Sequence, residues 1–227
     1  MLILFDIDLT LVNTRGAGRD AMVEAGRAVF GKPLNRDGVD FAGRLDPVIL
    51  RDLIAASGHK ATHEAIAAAR AAYAELLPGY LEGRSAPLPG ALELVDRVNR
   101  EPGVTIGLLT GNFEETGRLK LEASGFDPDR FAVRVWGDDS PHDPPRREDL
   151  PPVGIARYET RHGHLPTETV IVGDTPHDVS CALANACRVL AVATGYTDAT
   201  TLRAAGAHRV ADDLTDTANL AAWLIGE

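Results

Sequence analysis

Polar side chains follow three short apolar segments that the sequence predicts to be buried strands. Asp6 and Asp8 end the first segment, LILFDID, and Asp174 and Asp178 follow a later one, TVIV. Between them in the chain, the segment VTIGLLT ends in Thr110-Gly111-Asn112. Because the carboxyl ends of parallel strands meet at one edge of a sheet, we expect these groups to lie together.

Four carboxylates at one edge would repel each other strongly. Such a cluster is tolerated in a low dielectric only if some members are protonated or a cation lies among them. Oxygen ligands without neighbouring His or Cys favour Mg²⁺. The spacing agrees, because Asp174 and Asp178 would share the first turn of a helix that starts at Pro176. We therefore predict that Asp6, Asp8, Asp174 and Asp178 form a magnesium site.

The segment Thr110-Gly111-Asn112 offers a hydroxyl and backbone N–H groups at the start of a helix. Helix N-termini bind anions such as phosphate. A carboxylate that can act as nucleophile, a metal ion and an anion cradle are together the parts of a phosphoryl-transfer site. We predict that Gly111 and Asn112 contact the substrate and that Thr110 takes part in catalysis.

Strands and helices alternate in the second half of the chain, which indicates an α/β fold with a parallel sheet. Between the first two strands, however, the sequence predicts only helices. A single crossover needs about 10–12 residues, so residues 15–86 are too long to be one connection. We predict a Rossmann-like parallel sheet core, residues 1–14 and 87–227, with helices on both faces. A small α-helical domain, residues 15–86, is inserted after the first strand.

The predicted strands are 2–7, 104–110, 131–136, 169–172, 188–193 and 208–210. The predicted helices are 19–30, 47–57, 62–77, 91–100, 114–124, 153–161, 178–186, 200–205 and a last one ending at 224.

Composition narrows the classes of partner. The chain has 227 residues, a formal net charge of -10 and a pI near 5.2, which argues against binding to nucleic acid or an anionic membrane. No apolar run reaches the roughly 18 residues of a membrane span. The two cysteines form no disulfide framework, and the N-terminus does not read as a signal peptide. We expect a cytoplasmic location, and the oligomeric state stays open.

Three motifs carry a resemblance to a known family. DIDLT at Asp6, LLTGN ending at Asn112 and GDTPHD ending at Asp178 resemble motifs one, two and four of the haloacid dehalogenase (HAD) superfamily. The insertion after motif one resembles the helical cap of its phosphoglycolate-phosphatase-like branch. The resemblance implies that Asp6 is the nucleophile, that Asp8 acts as general acid and then base, and that its backbone carbonyl also binds Mg²⁺. Thr110 would bind phosphate, and Asp174, helped by Asp178, would hold the metal.

The chain departs from the family pattern at two places. Leu9 stands where motif one usually has Gly. Motif three is usually a Lys before the strand of motif four, but no lysine follows Lys120. The candidates for this basic phosphate ligand are Arg147, which has the family's chain order, and Lys120, on the helix that follows Thr110. We favour Arg147, because a planar guanidinium can bind phosphate bidentately.

Two further polar groups have less specific interpretations. Arg44 lies in a loop of the insertion, where the resemblance implies a segment that reaches over the site, and it could meet a second anionic group of the substrate. A second group of possible metal ligands consists of Asp138, Asp139, His142 and Asp143. We expect instead that residues 137–152 form a solvated loop.

The preferred function is a Mg²⁺-dependent phosphatase of a small phosphorylated metabolite, acting through an aspartyl-phosphate. A phosphomutase would use the same carboxylates and is the alternative. A signalling receiver domain, which is not an enzyme, also gathers acids, a Thr and a Lys around Mg²⁺. It is disfavoured because such domains are near half this length and have no insertion. A dehalogenase is disfavoured because it needs no Asp8.

Overall fold

The computed structural model describes residues 1–227. Six strands form one parallel sheet in the order β5-β4-β1-β6-β7-β8. β1 therefore lies at the centre, between the strands that end near Thr110 and Asp174. The sheet strands are β1 (Leu2–Phe5), β4 (Thr105–Leu109), β5 (Val133–Val135), β6 (Thr169–Gly173), β7 (Arg188–Val192) and β8 (Arg209–Ala211).

Helices cover both faces of the sheet, which confirms the predicted Rossmann-like architecture. Because side chains alternate across a strand, Ile3 and Phe5 join one apolar cluster and Leu2 and Leu4 join another. α5, α6 and α10 supply the first cluster, and α7, α8 and α9 the second. These helices are α5 (Ala91–Asn99), α6 (Glu114–Ala123), α7 (Leu150–His162), α8 (Pro176–Ala184), α9 (Ala199–Ala204) and α10 (Thr217–Ile225). None of the helices is long and apolar enough to cross a membrane.

Four further helices lie between two short strands that pair antiparallel, β2 (Val12–Asn13) and β3 (Ala86–Pro87). The helices pack around their own cluster of 14 buried residues, to which the core contributes Phe113. This part of the chain, residues 15–86, is called the helical insertion below. Its helices are α1 (Ala17–Glu24), α2 (Gly26–Phe30), α3 (Asp46–Ala56) and α4 (His63–Leu81).

Element ends differ from the prediction for identifiable reasons. The helix predicted over 19–30 is divided at Ala25 into α1 and α2, and α4 runs four residues past the predicted end because Pro78 is accommodated in its last turns. α7 begins earlier than predicted and α8 begins at Pro176, since proline fits the first turn of a helix. Asp174 precedes α8, so the prediction that it shares the first helical turn with Asp178 is wrong. The two-residue strands β2 and β3 were not predicted, because so short a segment has no periodicity.

The turn that follows α8, the helix that carries the predicted ligand Asp178, contains a residue in an unfavourable conformation. Ala186 has φ of 53°, in the left-handed region that glycine adopts without cost. We expect Ala186→Gly to stabilise the protein by about 1 kcal/mol, raising Tm by roughly 2–4 °C. Ala184→Gly, at an exposed position in the last turn of the helix, should lower Tm instead. Thermal unfolding followed by circular dichroism measures both, and a lower Tm for Ala186→Gly would contradict the interpretation.

Candidate active site

Three neighbouring strands place their polar residues at one edge of the sheet. Asp6 directly follows β1 and Asp174 directly follows β6, and the Asp6 amide donates to the Val172 carbonyl at 2.9 Å. Thr110 follows β4 on the other side of β1. The expected convergence of these strand ends is therefore present in the structure.

The carboxylates of Asp6, Asp174 and Asp178 form a buried cluster in which one oxygen of each lies within 4.8 Å of the others. Their residues are 5%, 2% and 0% exposed. Burial disfavours the charged form, so the pKa of Asp6 lies well above its usual range. Burial and the neighbouring carboxylates likewise raise the pKa of Asp174. This donor set, all oxygen, could hold a metal ion.

Arg147 supplies the positive charge nearest to this cluster. Its Nη2 lies 2.5 Å from Asp178 Oδ1 and 3.3 Å from Asp6 Oδ2. The residue begins a 3-10 turn, Arg147–Asp149, just before α7. Its Nε is buried without a hydrogen-bond partner. One guanidinium against three carboxylates leaves a formal charge of -2 in the cluster, which a divalent cation would balance.

Asp178 makes contacts with both of its carboxylate oxygens. Oδ2 accepts from the amide and hydroxyl of Thr175 at 3.0 and 2.7 Å, forming a capping box at the start of α8, while Oδ1 meets Arg147. Asp178 therefore orients Arg147 as well as lying near the other two acids. Asp174 has fewer hydrogen bonds than Asp178. Its carboxylate accepts one side-chain hydrogen bond, from Thr10 Oγ1 at 3.3 Å.

Asp8 does not join the carboxylate cluster through its side chain. Its Oδ2 lies 2.5 Å from Lys120 Nζ and accepts from Asn112 Nδ2 at 2.9 Å. Burial disfavours the ammonium, but Asp8, Tyr73 and Asp46 together outweigh this effect and raise the pKa of Lys120. The two basic residues between which the sequence left a choice thus both reach the site, each at a different carboxylate.

The segment after β4 has several roles. Thr110 is 1% exposed, lines the cavity, and its Oγ1 accepts from the Asn112 amide at 3.4 Å. Gly111 is in tight contact with the helical insertion, because a Cβ atom there would lie 2.2 Å from the Arg44 carbonyl oxygen. Asn112 turns its amide group to Asp8, and its Oδ1 is buried without a partner.

Arg44 lines the cavity, but its guanidinium already has partners within the insertion. It pairs with Asp52 at 2.8 Å and donates to the Asp40 carbonyl at 3.3 Å. A role in binding a second anion would therefore require Arg44 to exchange these contacts. Polar residues predicted to form a solvated loop also have partners, since Asp139 pairs with Arg157 and His142 pairs with Asp149.

Leu9 adopts a conformation that explains why glycine suits its position. Its φ is 58°, which is costly for a residue with a side chain. Its amide donates to the Val12 carbonyl at 2.8 Å, and its carbonyl accepts from Thr194 Oγ1 at 2.5 Å. These two hydrogen bonds hold the turn after Asp8 in the shape that glycine would adopt freely.

A cavity of about 170 Å³ lies between the sheet edge and the helical insertion, and Asp6, Asp8, Arg147 and Asp174 line its core side. The insertion closes over it through backbone contacts. The Asp46 amide donates to the Gly111 carbonyl at 2.7 Å, and Arg147 Nη1 donates to the Gly43 carbonyl at 3.1 Å.

Asp46 lines the cavity and contacts the core, although sequence reasoning did not single it out. Its Oδ2 accepts from the Phe113 amide at 3.2 Å and from Thr116 Oγ1 at 3.5 Å, so it caps α6 from the insertion. Burial raises its pKa to about 6. Gly195 was missed as well, although a Cβ atom there would lie 1.8 Å from Asp174 Oδ2. In the sequence, Asp46 is an acid at the start of a predicted helix and Gly195 is a glycine after a predicted strand. Neither pattern indicates a contact with the site.

Two arginines of the insertion add contacts at its periphery. Arg70 on α4 binds both oxygens of Glu115 at 2.5 and 2.8 Å, meets Asp138 at 2.7 Å and lies over the Phe113 ring. Arg51 on α3 pairs with Asp143 at 2.6 Å. The loop over 137–152, expected to be solvated, is thus partly a docking surface for the insertion.

Gly111→Ala tests the contact between the insertion and the core. The added Cβ would collide with the backbone of Arg44, so the loop must move away. We expect hydrogen–deuterium exchange of the Asp46 amide to accelerate by roughly 10-fold or more, while the β1 amides stay unchanged. Gly79→Ala is the control, because nothing lies within 4 Å of a Cβ at that helical position. Equal exchange at Asp46 in both variants would contradict the contact.

Comparison with known proteins gives one consistent result. Residues 3–183 match the family model described as haloacid dehalogenase-like hydrolase, and residues 152–217 match a HAD-hydrolase-like model. No curated protein sequence matches the chain significantly.

Solved structures with the same fold cover nearly the whole chain. A hydrolase from Pseudomonas syringae is 25% identical, with a TM-score of 0.72 over 96% of this chain and 95% of its own. CbbY from Rhodobacter sphaeroides in complex with phosphate is 21% identical, with a TM-score of 0.75 over 96% of both chains. A CbbY variant in complex with xylulose-(1,5)-bisphosphate is 20% identical, with a TM-score of 0.75 over 95% of both.

The family model spans most of the chain and includes the three strand ends that carry Asp6, Thr110 and Asp174. The chain therefore belongs to the haloacid dehalogenase-like hydrolase family.

Proposed function

We propose that the protein is a phosphatase that hydrolyses a small phosphorylated metabolite through an aspartyl-phosphate on Asp6. One observation carries the proposal: Asp6 and Asp8 line the same cavity with different partners, Arg147 for Asp6 and Lys120 for Asp8. Two carboxylates in different surroundings can take different roles, one as nucleophile and the other as acid and base.

The proposed reaction has two steps. In the first, an Asp6 oxygen attacks phosphorus, the bond to the ester oxygen breaks, and Asp8 gives a proton to the leaving alkoxide. In the second, Asp8 takes a proton from water, which attacks the same phosphorus and releases Asp6 and inorganic phosphate. Thr110 would donate to a phosphate oxygen. Arg147 would hold another phosphate oxygen, and its unpartnered Nε fits this role.

We infer that Mg²⁺ binds between Asp6 and Asp174. The fit rests on donor chemistry, because buried carboxylates with a formal charge of -2 suit a hard divalent cation. The backbone carbonyl of Asp8 is the further ligand that the family resemblance implies, and Asp178 would support the site through its contacts to Thr175 and Arg147. When bound, Mg²⁺ would polarise the phosphate and offset the negative charge that develops in the transition state.

The substrate is proposed to be small. The cavity of about 170 Å³ falls below the roughly 300–1,000 Å³ of sites for drug-sized ligands. The structures of CbbY hold phosphate and a sugar bisphosphate, which supports a phosphorylated compound here. We propose that residues 15–86 act as a cap that closes over the substrate and excludes bulk water.

The proposed setting is the cytoplasm. Cys181 and Cys187 are buried and unpaired, which fits a reducing compartment. A phosphomutase remains the alternative, because it would use the same carboxylates and return the phosphate to a sugar.

Asp6→Asn should abolish hydrolysis, since an amide cannot replace the nucleophilic carboxylate. The measurement is phosphate release from p-nitrophenyl phosphate and a panel of small phosphoesters in the presence of Mg²⁺. Activity should fall by at least roughly 10³-fold, while the variant keeps a cooperative unfolding transition. If wild type and Asp6→Asn are equally inert across the panel, the phosphatase proposal fails. A sugar bisphosphate in the panel distinguishes the alternative, because a mutase would isomerise it without releasing phosphate.

Mg²⁺ should stabilise the protein more at higher pH. The folded pKa values of Asp6 and Asp174 are raised, so ionising these acids costs the metal-free protein stability as pH rises, and protons compete with Mg²⁺ at low pH. At about pH 8, saturating Mg²⁺ should raise Tm by roughly 5–10 °C. The increase should be smaller at about pH 5.5. Asp174→Asn should remove most of the increase, and an increment that is equal at both pH values would contradict the metal site.

A further inference from the structure

Lys120 has no role in the two-step scheme above if Arg147 holds the phosphate. Its side chain is 5% exposed and its Nζ lies 2.5 Å from Asp8 Oδ2, whereas the Asp8 side chain is 37% exposed and lines the cavity. The ammonium group therefore forms an ion pair with Asp8 and is almost fully buried. We propose that Lys120 positions the Asp8 carboxylate, and that Gly18 and Tyr73 of the helical insertion complete this arrangement by enclosing the ammonium group. This inference rests on the proposed function, in which Asp8 exchanges protons with substrate and water.

Two donors fix a single oxygen of Asp8. Lys120 Nζ and Asn112 Nδ2, at 2.5 and 2.9 Å, both approach Oδ2, and Oδ1 has no hydrogen-bond partner within the protein. A carboxylate held in this way cannot rotate freely, and Oδ1 is left to exchange protons. Because proton transfer requires hydrogen-bond distance to the reacting oxygen, fixing the orientation of Asp8 contributes directly to the rate.

The helical insertion supplies the other side of the lysine's surroundings. A Cβ atom at Gly18 on α1 would lie 2.9 Å from Lys120 Cε, 3.1 Å from Nζ and 3.1 Å from Tyr73 Oη. Tyr73 on α4 is 1% exposed. Because Gly18 has no side chain, α1 can approach Lys120 closely. Tyr73 fills the remaining space beside the lysine. With both in place, water is excluded from the ammonium group, which strengthens its attraction to the Asp8 carboxylate.

The same insertion also contacts the helix that carries the lysine. Asp46 caps the first turn of α6 through the Phe113 amide and Thr116, and Lys120 lies on that helix one turn beyond Thr116. The position of the insertion therefore acts on α6 at its start and on the Lys120 side chain. The insertion therefore supports both the helix that carries Lys120 and the surroundings of its ammonium group.

The first experiment measures enclosure without any need for activity. The chain has only three lysines, and Lys32 and Lys60 are exposed while Lys120 is buried. Reductive methylation followed by mass spectrometry should modify Lys32 and Lys60 and spare Lys120. Gly18→Ala should make Lys120 reactive, because the new methyl group displaces it or Tyr73, and Gly79→Ala should not. Modification of Lys120 in the wild type at the rate of Lys32 would overturn the inference.

The second experiment separates positioning from phosphate binding. Lys120→Met should lower kcat by roughly 100-fold and leave KM and the inhibition constant of inorganic phosphate within about twofold. Arg147→Met should weaken phosphate inhibition instead. In an Asp8→Asn background, Lys120→Met should add less than about twofold, because the two residues act as one unit. Gly18→Ala should lower kcat by roughly 10-fold with KM unchanged. This variant tests the inference if Lys120→Met does not fold.

The outcomes distinguish this inference from the proposed function. A wild type that hydrolyses no phosphoester removes the proposed function, and with it the role in catalysis, whatever the methylation pattern. An active wild type in which Lys120→Met weakens phosphate inhibition as Arg147→Met does would show that the lysine binds phosphate, and would overturn the inference alone. A full additional loss from Lys120→Met in the Asp8→Asn background would do the same.

Discussion

The burial of like charges at one sheet edge constrains the rest of this structure. Asp6, Asp174 and Asp178 are almost fully buried with only one guanidinium, that of Arg147, among them. Such a cluster is unfavourable by itself, as the raised pKa values of Asp6 and Asp174 indicate. The divalent cation proposed to bind here would relieve this repulsion and would balance the negative charge that opposes the approach of an anionic phosphate to Asp6.

The residues of this edge could be predicted from the sequence because parallel strands end on the same side. Asp6, Thr110 and Asp174 each follow an apolar segment, and the order of three adjacent strands brings them together. No comparable rule places a basic residue that lies on a helix or in a turn, such as Lys120 on α6 or Arg147. The sequence therefore left Arg147 and Lys120 as alternatives for one role, whereas the structure gives each its own carboxylate, Asp6 with Asp178 for the first and Asp8 for the second.

Contacts between the helical insertion and the core could not be predicted. Asp46 and Phe113 are 67 positions apart, and periodicity shows which face of a helix is buried but not what covers it. The closest contacts involve Gly18, Gly43 and Gly111, where a side chain would collide with Lys120, Thr175 or Arg44. In a sequence these glycines resemble ordinary helix or turn residues, because the reason for each lies in a distant part of the chain.

Two kinds of contact hold the insertion over the cavity, and they differ in consequence. The pairs of Arg51 and Arg70 are partly exposed, and exposed ion pairs contribute only about 0–1 kcal/mol. The contacts inside are buried, and breaking them leaves polar groups unsatisfied. Among them, Arg147 donates both to the Gly43 carbonyl of the insertion and to Asp178. The guanidinium that balances the carboxylates is thus also a contact between core and insertion, so replacing Arg147 would remove both the positive charge and one of the hydrogen bonds that hold the insertion over the cavity.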